Sequence, residues 1–240
     1  MGEAILIASG KGGVGKTVFA ANMGAALAKS GASVVLIDMN IGMRNLDICM
    51  GLESRVIYDL TDAIIGICSL KKALVKDRRF ESLYLISAAQ TQEKAKITPA
   101  EMRDLCQELK EKHDYVIIDA PSGIGAELRL AAAGADRAVI VTTAEYGALR
   151  DADALDRVLE RIGIVSRSFV VNDVKEELLS RGAVPDLQEI SESMRIPMAG
   201  VIPHENNVIV SVNIGVPVVM EEGSYFERNF RRIIQRILQC

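Results

Sequence analysis

The sequence predicts an α/β fold, with a mostly parallel twisted sheet of about seven to eight strands and helices on both faces. Short apolar runs rich in β-branched residues recur along the chain, and stretches of helical periodicity separate them. This alternation implies crossover connections between parallel strands. Hydrophobic residues make up 49% of the chain and aromatic residues only 4%, which favours strands covered on both faces by aliphatic side chains.

Each predicted strand is an apolar run bounded by turn residues. The predicted strands cover residues 4–8, 33–37, 83–87, 115–118, 138–142, 168–171 and 199–202. The most clearly predicted helices cover residues 17–30, 98–112, 147–162 and 224–238. Within the 240 residues no Pro/Gly/Ser-rich linker or low-complexity run divides the sequence. We therefore expect a single domain over residues 1–240.

The composition limits the classes of protein and site to be considered. The formal net charge of −4 argues against bulk attraction to nucleic acid, so we expect no sequence-specific nucleic-acid partner. The cysteines Cys49, Cys68, Cys106 and Cys240 form no C-x-x-C spacing, so the usual ligand pattern of a zinc or iron–sulfur site is missing. No apolar run approaches membrane-spanning length and no signal segment precedes the first strand. We expect a cytoplasmic protein.

A glycine-rich loop with two lysines joins the first strand to the first helix. Its pattern, G-x-x-x-x-G-K-[ST], runs from residue 10 to residue 17 and is typical of loops whose backbone amides surround nucleotide phosphates. In this pattern Lys16 neutralises phosphate charge and the Thr17 hydroxyl ligates Mg²⁺. We therefore predict that the protein binds ATP and Mg²⁺. The predicted nucleotide-binding residues of this segment are Gly10, Lys11, Gly12, Gly13, Val14, Gly15, Lys16, Thr17 and Val18.

Lys11 stands where a generic phosphate loop accepts almost any residue. One interpretation is an ordinary solvated lysine. The other is that Lys11 reaches phosphates across a dimer interface, so that two protomers enclose two nucleotides. We favour the second interpretation, because a lysine here adds positive charge to a cradle that already contains Lys16.

Two predicted strands end in an aspartate beside the phosphate loop. Asp38 follows the strand at 33–37, and Asp119 follows the strand at 115–118. Because ligands of parallel sheets bind at the carboxyl ends of the strands, both carboxylates are expected near the phosphates. We predict that Asp119 holds Mg²⁺ through water and that Asp38 approaches the metal shell or the attacking water. The alternatives are a cap for a helix beginning near Ile124 and an ordinary strand-end turn.

Together these residues resemble the MinD/ParA family of ATPases, which carry a deviant form of the phosphate-binding loop. The similarity extends from the N-terminus to about residue 238. Within the family, the segment Gly42-Met43-Arg44-Asn45-Leu46-Asp47 points to the branch that selects cell-division sites. The other matching residues are Lys11, Asp38, Ile41, Met50-Gly51, Gln90-Thr91 and Asp119-Ala120-Pro121-Ser122-Gly123-Ile124.

The resemblance implies a fold, an activity and partners. It implies a P-loop NTPase fold and an ATP-dependent homodimer that hydrolysis releases, acting as a nucleotide switch in septum placement with division-regulator proteins as partners. By the same carry-over, Asn172 hydrogen-bonds adenine and Pro203 lines the base pocket. Arg44, Arg150 and Asp151 match family positions at the dimer or partner face.

The sequence departs from the family pattern at Asn40. The resemblance implies an Asp-x-Asp sequence whose second carboxylate organises the attacking water, and this chain has an amide there. An amide positions water through hydrogen bonds but is a poor proton acceptor, so we predict slow ATP hydrolysis with ATP binding intact. The main alternative is an ATP-gated scaffold that scarcely hydrolyses. The predicted catalytic residues are Lys11, Lys16, Asp38, Asn40 and Asp119.

Two further departures concern His204 and the C-terminal segment. Family members commonly carry acidic residues where His204 follows Pro203, and we interpret this histidine as a solvated loop residue. Residues 224–240 place apolar residues at helical spacing among four arginines. We interpret them as a closing helix packed on the sheet, because the separate membrane-targeting tail that the resemblance implies is not evident up to Cys240.

Other functions remain open at this stage. Residues 224–240 also suit contact with an anionic membrane surface, which would make the protein peripheral at the inner face of the cell membrane. ParA-type positioning of cargo on DNA and control of flagellar number share the fold and the nucleotide site. The acidic average charge and the segment at 42–47 speak against the positioning of cargo on DNA. The fold and the nucleotide site do not distinguish flagellar-number control from septum placement.

Overall fold

The computed structural model describes residues 1–90 and 97–240, and its centre is an eight-stranded sheet. The order across the sheet, numbered along the chain, is 3-4-2-5-1-6-7-8. Strands 3 and 4 pair antiparallel, and every other neighbouring pair is parallel. The strands are β1 (Glu3–Ala8), β2 (Val34–Asp38), β3 (Val75–Lys76), β4 (Leu83–Ile86), β5 (Tyr115–Asp119), β6 (Arg137–Thr142), β7 (Ser166–Val174) and β8 (Met198–Pro203).

The seven predicted strands are all present, with ends that coincide with the prediction or differ from it by up to three residues. The sequence analysis missed β3, because two residues carry no detectable alternation. This short strand adds the antiparallel edge to an otherwise parallel sheet. The predicted fold class is confirmed.

Helices cover both faces of the sheet. The described helices are α1 (Lys16–Lys29), α2 (Leu46–Cys49), α3 (Leu60–Ile64), α4 (Leu70–Ala73), α5 (Pro99–Lys110), α6 (Ala126–Ala132), α7 (Tyr146–Arg161), α8 (Glu176–Ser180), α9 (Leu187–Ser193), α10 (Asn206–Ile214) and α11 (Tyr225–Gln239). Predicted helix starts at Thr98 and Ser224 are the N-caps of α5 and α11, where each side chain accepts a backbone N–H of the first turn. The seven helices of four to nine residues were not among the most clearly predicted helices, because so few residues show too little periodicity. For α6 the sequence analysis gives only an expected start near Ile124, close to its first residue, Ala126.

Two hydrophobic layers enclose the sheet. Alternate residues of β1 belong to opposite layers: Leu6 packs with the α5, α6, α7 and α9 side, and Ile5 packs with the α1 and α11 side. The strands are buried on both faces, as the aliphatic composition predicts. Because the strands other than β3 are parallel, their carboxyl ends lie on the same side of the sheet, and the phosphate loop follows β1 on that side.

The C-terminal helix closes the second layer. Phe226, Phe230, Ile233 and Ile237 of α11 are buried, and the Phe230 ring centroid lies 5.0 Å from that of Phe19. A Cβ atom on Gly200 would lie 2.6 Å from Ile233, so the helix approaches β8 closely. Contact of this apolar face with a membrane would require α11 to leave the sheet. Among the helices within residues 1–90 and 97–240, none is long and apolar enough to cross a membrane.

The end of α11 is attached to the edge of the sheet that carries the amino ends of the parallel strands. The Arg137 guanidinium, at the start of β6, donates to the carbonyl oxygens of Ile237 and Cys240 and pairs with Glu3. The Ser166 hydroxyl, at the start of β7, also donates to the Cys240 carbonyl. The chain therefore ends opposite the edge that carries the phosphate loop.

Candidate functional site

The phosphate loop needs glycine where its backbone turns to the left. Gly13 has φ 80° and Gly15 has φ 88°, in the region that favours glycine. Gly15 is the N-cap of α1 and provides no side chain to the first-turn amides. A Cβ on Gly15 would lie 2.2 Å from Nδ2 of Asn172, so the loop also approaches β7 without room for a side chain. The result is a helix N-terminus with amides available to an anion.

The exposed side of the loop contacts α7. A Cβ on Gly10 would lie 2.4 Å from the Asp151 carbonyl oxygen, so this predicted partner-face residue lies against the loop. Arg150 beside it is exposed. The Lys11 ammonium pairs with the carboxylate of Glu145 at 2.6 Å, and both side chains are about half exposed, at 48% and 58%.

Three donors converge on the Asp119 carboxylate at the end of β5. Lys16 Nζ lies 2.5 Å from Oδ1, while Thr17 Oγ1 and Asn40 Nδ2 lie 2.7 Å and 3.1 Å from Oδ2. Asp119 is fully buried and Lys16 is 6% exposed. The structure thus brings together three of the five predicted catalytic residues, namely Lys16, Asn40 and Asp119. The helix following β5 begins at Ala126 with Gly125 as its N-cap, so the alternative role of Asp119 as a cap near Ile124 is wrong.

Strand register brings the two predicted carboxylates side by side. Asp38 of β2 pairs with Asp119 of β5 in the parallel ladder. Asp38 accepts backbone N–H groups from Asn40, Asn45 and Leu46. Burial, and then the Asp119 charge, raise the pKa of Asp38 from 3.8 to about 6, although these backbone hydrogen bonds lower it. Burial also raises the pKa of Asp119, against the lowering effect of Lys16.

Asn40 is chemically suited to this crowded acidic position. Its side-chain amide donates to Asp119, which a carboxylate at the same position cannot do when ionised. An aspartate here would be a third acid beside Asp38 and Asp119, and like charges at such distances repel. The amide therefore stabilises the strand ends while lowering the capacity of this position to accept a proton.

The predicted base-binding residues lie at the far side of the loop. Asn172 Nδ2 donates to the Val14 carbonyl oxygen at 2.9 Å. Pro203 ends β8 and is paired in register with Val174 of β7. A cavity of about 60 Å³ lies here, and its lining includes Gly15, Val18, Asn172, Ile202 and Val208. Asn172 and Pro203 thus lie at neighbouring strand ends, with Val18 near Asn172.

The remaining predicted partner-face residue is partly buried. Arg44 pairs with Asp47 of α2 at 3.1 Å, and the Asp47 side chain is fully buried. Its side chain therefore supports the segment before α2 in this chain. Gln90 of the Gln90-Thr91 pair is exposed, and Thr91 lies outside the described residues.

Sequence reasoning missed Glu145 and Asp173. Glu145 follows β6 and could have been found by applying the strand-end rule to every strand. Asp173 contacts His204, with Nδ1 of the histidine 2.5 Å from the carboxylate. His204 is partly exposed, at 39%, but it is paired rather than simply solvated, and no local pattern marks that contact.

The residues present fit a magnesium nucleotide. Thr17, Asp38 and Asp119 offer oxygen atoms, which Mg²⁺ prefers. Within residues 1–90 and 97–240, no group of three or more His, Cys, Asp or Glu side chains is arranged to hold a metal alone. Mg²⁺ is commonly bound by one or two carboxylates together with substrate phosphates, and the glycine cradle supplies amides for such phosphates. A nearby cation also stabilises two carboxylates whose pKa values burial raises.

A parallel sheet whose first strand leads through a glycine-rich loop into a helix defines the class of P-loop NTPases. The family model described as ParA, a NUBPL iron-transfer P-loop NTPase, matches residues 1–238. The chain belongs to the ParA/MinD family, whose members are ATPases.

Similar proteins narrow the comparison to the MinD branch. The septum site-determining protein MinD of Bacillus subtilis (strain 168) is 46% identical over 240 residues, which are 99% of this chain and 90% of that protein. The MinC:MinD cell division protein complex of Aquifex aeolicus superposes with a TM-score of 0.91 and 37% identity, covering 99% of this chain and 96% of that one. MinD from Pyrococcus horikoshii OT3, solved with Mg-ADP, has a TM-score of 0.86 and 28% identity, covering 99% and 96%. These similarities support a role in cell division.

Proposed function

We propose that this protein is a slow ATPase that binds Mg-ATP in the phosphate loop, dimerises on binding it and acts as a switch in septum placement. The observation that carries the proposal is the convergence of Lys16, Thr17 and Asn40 on buried Asp119. The Lys16 ammonium, the Thr17 hydroxyl and the Asp119 carboxylate are the kinds of group that P-loop enzymes use to bind phosphates and Mg²⁺ during phosphoryl transfer.

The phosphates bind at the N-terminus of α1. The loop amides and Lys16 surround them, with Gly13 and Gly15 providing the left-handed turns. Thr17, Asp38 and Asp119 would hold Mg²⁺, Thr17 through its hydroxyl and the two aspartates through water. When bound, the ion neutralises charge on the β- and γ-phosphate oxygens. Asn172 and Pro203 would contact the adenine. The Pyrococcus relative solved with Mg-ADP supports nucleotide binding in general.

Hydrolysis is slow because Asn40 orients the attacking water without accepting its proton. Positioning and charge stabilisation supply most of the catalysis of phosphoryl transfer, so the reaction proceeds through the contributions of Lys16 and Asp119. The donation from Asn40 to Asp119 supports this interpretation, because it leaves the side-chain oxygen of Asn40 free to accept from a water molecule.

The dimer forms through the face that carries Lys11. In the single chain Lys11 contacts Glu145 at the surface, and an exposed ion pair of this kind costs little to exchange for another anion. We propose that Lys11 leaves Glu145 and contacts a phosphate of the ATP bound to the facing subunit. Arg150 and Asp151, beside the loop on α7, then lie near the dimer boundary, and Arg44 lies near it through α2.

The partner is a division regulator, which the MinC:MinD complex among the structural relatives supports. We propose that the protein acts in the cytoplasm as a single domain, since β1 to β8 form one sheet. Burial of the apolar face of α11 favours a structural role for residues 224–240 over membrane contact.

A second candidate, an ATP-gated scaffold that scarcely hydrolyses, is favoured by Asn40. One experiment separates the candidates: gel filtration with light scattering in Mg-ADP and Mg-ATP, combined with phosphate release at saturating Mg-ATP. A slow switch dimerises in ATP and releases phosphate at a measurable rate, whereas a scaffold dimerises without turnover. A protein that stays monomeric in ATP contradicts both.

A further inference from the structure

An unusual backbone conformation lies beside the base-binding residues, at the end of β7. Asp173 has φ 57°, the one positive value for a non-glycine residue among the described positions. This left-handed conformation costs energy for most residues, although aspartate and asparagine tolerate it best. It coincides with an irregularity in the pairing of β7 and β8, whose register shifts between Val171 and Val174.

Two contacts fix this irregular segment to the end of β8. Nδ1 of His204 lies 2.5 Å from Oδ1 of Asp173. The backbone N–H of His204 donates to the Val174 carbonyl oxygen at 2.9 Å. A side-chain contact and a backbone hydrogen bond therefore both join the ends of β7 and β8, and together they restrain this segment more than a single surface contact would.

The contacts immediately follow the two residues proposed to recognise the base. Asn172 precedes Asp173, and Pro203 precedes His204. Asn172 and Asp173 lie between the paired residues Val171 and Val174, opposite a single residue of β8. Side chains alternate across a regular strand, and an extra residue of this kind changes the direction of side chains within the irregularity. The left-handed turn at Asp173 thus helps to direct the Asn172 amide at the phosphate loop, where it meets the Val14 carbonyl. His204 contacts Asp173 at this same backbone conformation.

We propose that Asp173 and His204 form a clamp that positions Asn172 and Pro203 for adenine, and so sets the affinity for the base without contacting the phosphates. The inference rests on the proposed function, in that the site must bind ATP. Asp173 and His204 are positioning residues, since they act through their neighbours.

The test compares ligands that have the base with one that lacks it. Titration calorimetry in Mg²⁺ measures ATP, GTP and inorganic tripolyphosphate on the wild type, His204→Ala and Asp173→Gly. Both variants are expected to bind ATP about tenfold more weakly, as expected when a hydrogen bond to a charged group that orders a binding residue is lost. Their affinity for tripolyphosphate is expected to stay unchanged. The preference for ATP over GTP is expected to fall, because the clamp orders the residues proposed to recognise adenine.

Two control variants identify the cause. Asp173→Asn keeps tolerance of the left-handed backbone and an oxygen that accepts from His204, so its ATP affinity stays within about twofold of the wild type. Glu177→Ala breaks an exposed ion pair with Arg181 on neighbouring α8, at 2.8 Å, and leaves ATP affinity unchanged.

The outcomes separate this inference from the proposed function. Clamp variants that keep full ATP affinity overturn the clamp, and so do variants that lose ATP and tripolyphosphate affinity equally, because general damage then explains the loss. A wild-type protein that binds neither ligand overturns the proposed nucleotide site, and the clamp with it.

Discussion

The two lysines of the phosphate loop lie in opposite environments. Lys16 is 6% exposed and pairs with the fully buried Asp119, whereas Lys11 is 48% exposed and pairs with the half-exposed Glu145. The distances are alike, 2.5 Å and 2.6 Å, so geometry alone does not distinguish them. Burial does, because a buried charge without its partner is costly while an exposed one is solvated. The buried Lys16–Asp119 pair thus contributes to the stability of the fold, whereas the exposed Lys11 ammonium is available to exchange Glu145 for another anion.

The largest expected effect tests this difference in stability. Lys16→Ala leaves the Asp119 carboxylate buried without its cation, and is expected to lower the free energy of unfolding by about 3–5 kcal/mol. Urea denaturation without nucleotide measures it. Adding Asp119→Asn to the first substitution should recover part of the loss, since the uncompensated charge is removed. A single variant as stable as the wild type would show that the two lysines do not differ as described.

The second effect concerns the acidic cluster at the buried end. Asn40→Asp is expected to raise ATP turnover about 100-fold, the lower limit for a general base. The same change lowers the stability of the nucleotide-free protein, because a third carboxylate joins Asp38 and Asp119. Phosphate release and thermal unfolding measure the two effects. Asn40→Ala is the control, because it removes the amide without adding a base, and it should not accelerate turnover.

A third, smaller effect on stability and ATP binding is expected from a substitution at Gly15, between the two lysines. Gly15→Ala places a Cβ against Asn172 in a left-handed backbone, and is expected to cost about 1–3 kcal/mol of stability and to weaken ATP binding. Gly31→Ala is the matched control, since Gly31 has φ 96° and no atom within 4 Å of a built Cβ. It should cost backbone strain alone and leave ATP titrations unchanged. Equal ATP affinities in the two variants would contradict the close approach of loop and β7.

The smallest expected change in stability belongs to the exposed end. Lys11→Ala should alter the free energy of unfolding by less than about 1 kcal/mol and yet abolish the ATP-dependent dimer in light scattering. Glu145→Gln provides the comparison, because it releases Lys11 without removing it and should preserve the dimer. Normal dimerisation by the Lys11 variant would exclude the proposed exchange of partners.

The buried end of the site was predictable from sequence because its residues belong to local patterns. The loop glycines, Lys16 and Thr17 stand in one short motif, and Asp38 and Asp119 each end an apolar strand. The rule that such ends meet at one edge of a parallel sheet then places the two aspartates together, which their register confirms.

The pairings of the exposed contacts were not predictable, because each joins residues distant in sequence, although the strand-end rule would have placed Glu145 near the phosphate loop. Glu145 meets Lys11 only after β6 is placed beside β1, and Asp173 meets His204 only after β7 pairs with β8. Charged residues at a surface have many available partners, so pattern alone does not choose among them. The short strand β3 and most of the short helices were not predicted, for a different reason. Tertiary packing stabilises them, and their sequences are too short to show a periodic pattern.

The attachment of the chain end to Arg137 offers a spectroscopic opportunity. Cys49, Cys68 and Cys106 are buried, and Cys240 is exposed. A maleimide dye would therefore react selectively at the position that Arg137 and Ser166 secure. Because this position lies on the opposite edge of the sheet from the phosphate loop, the fluorophore would report rotation of the whole protomer during assembly without obstructing the nucleotide.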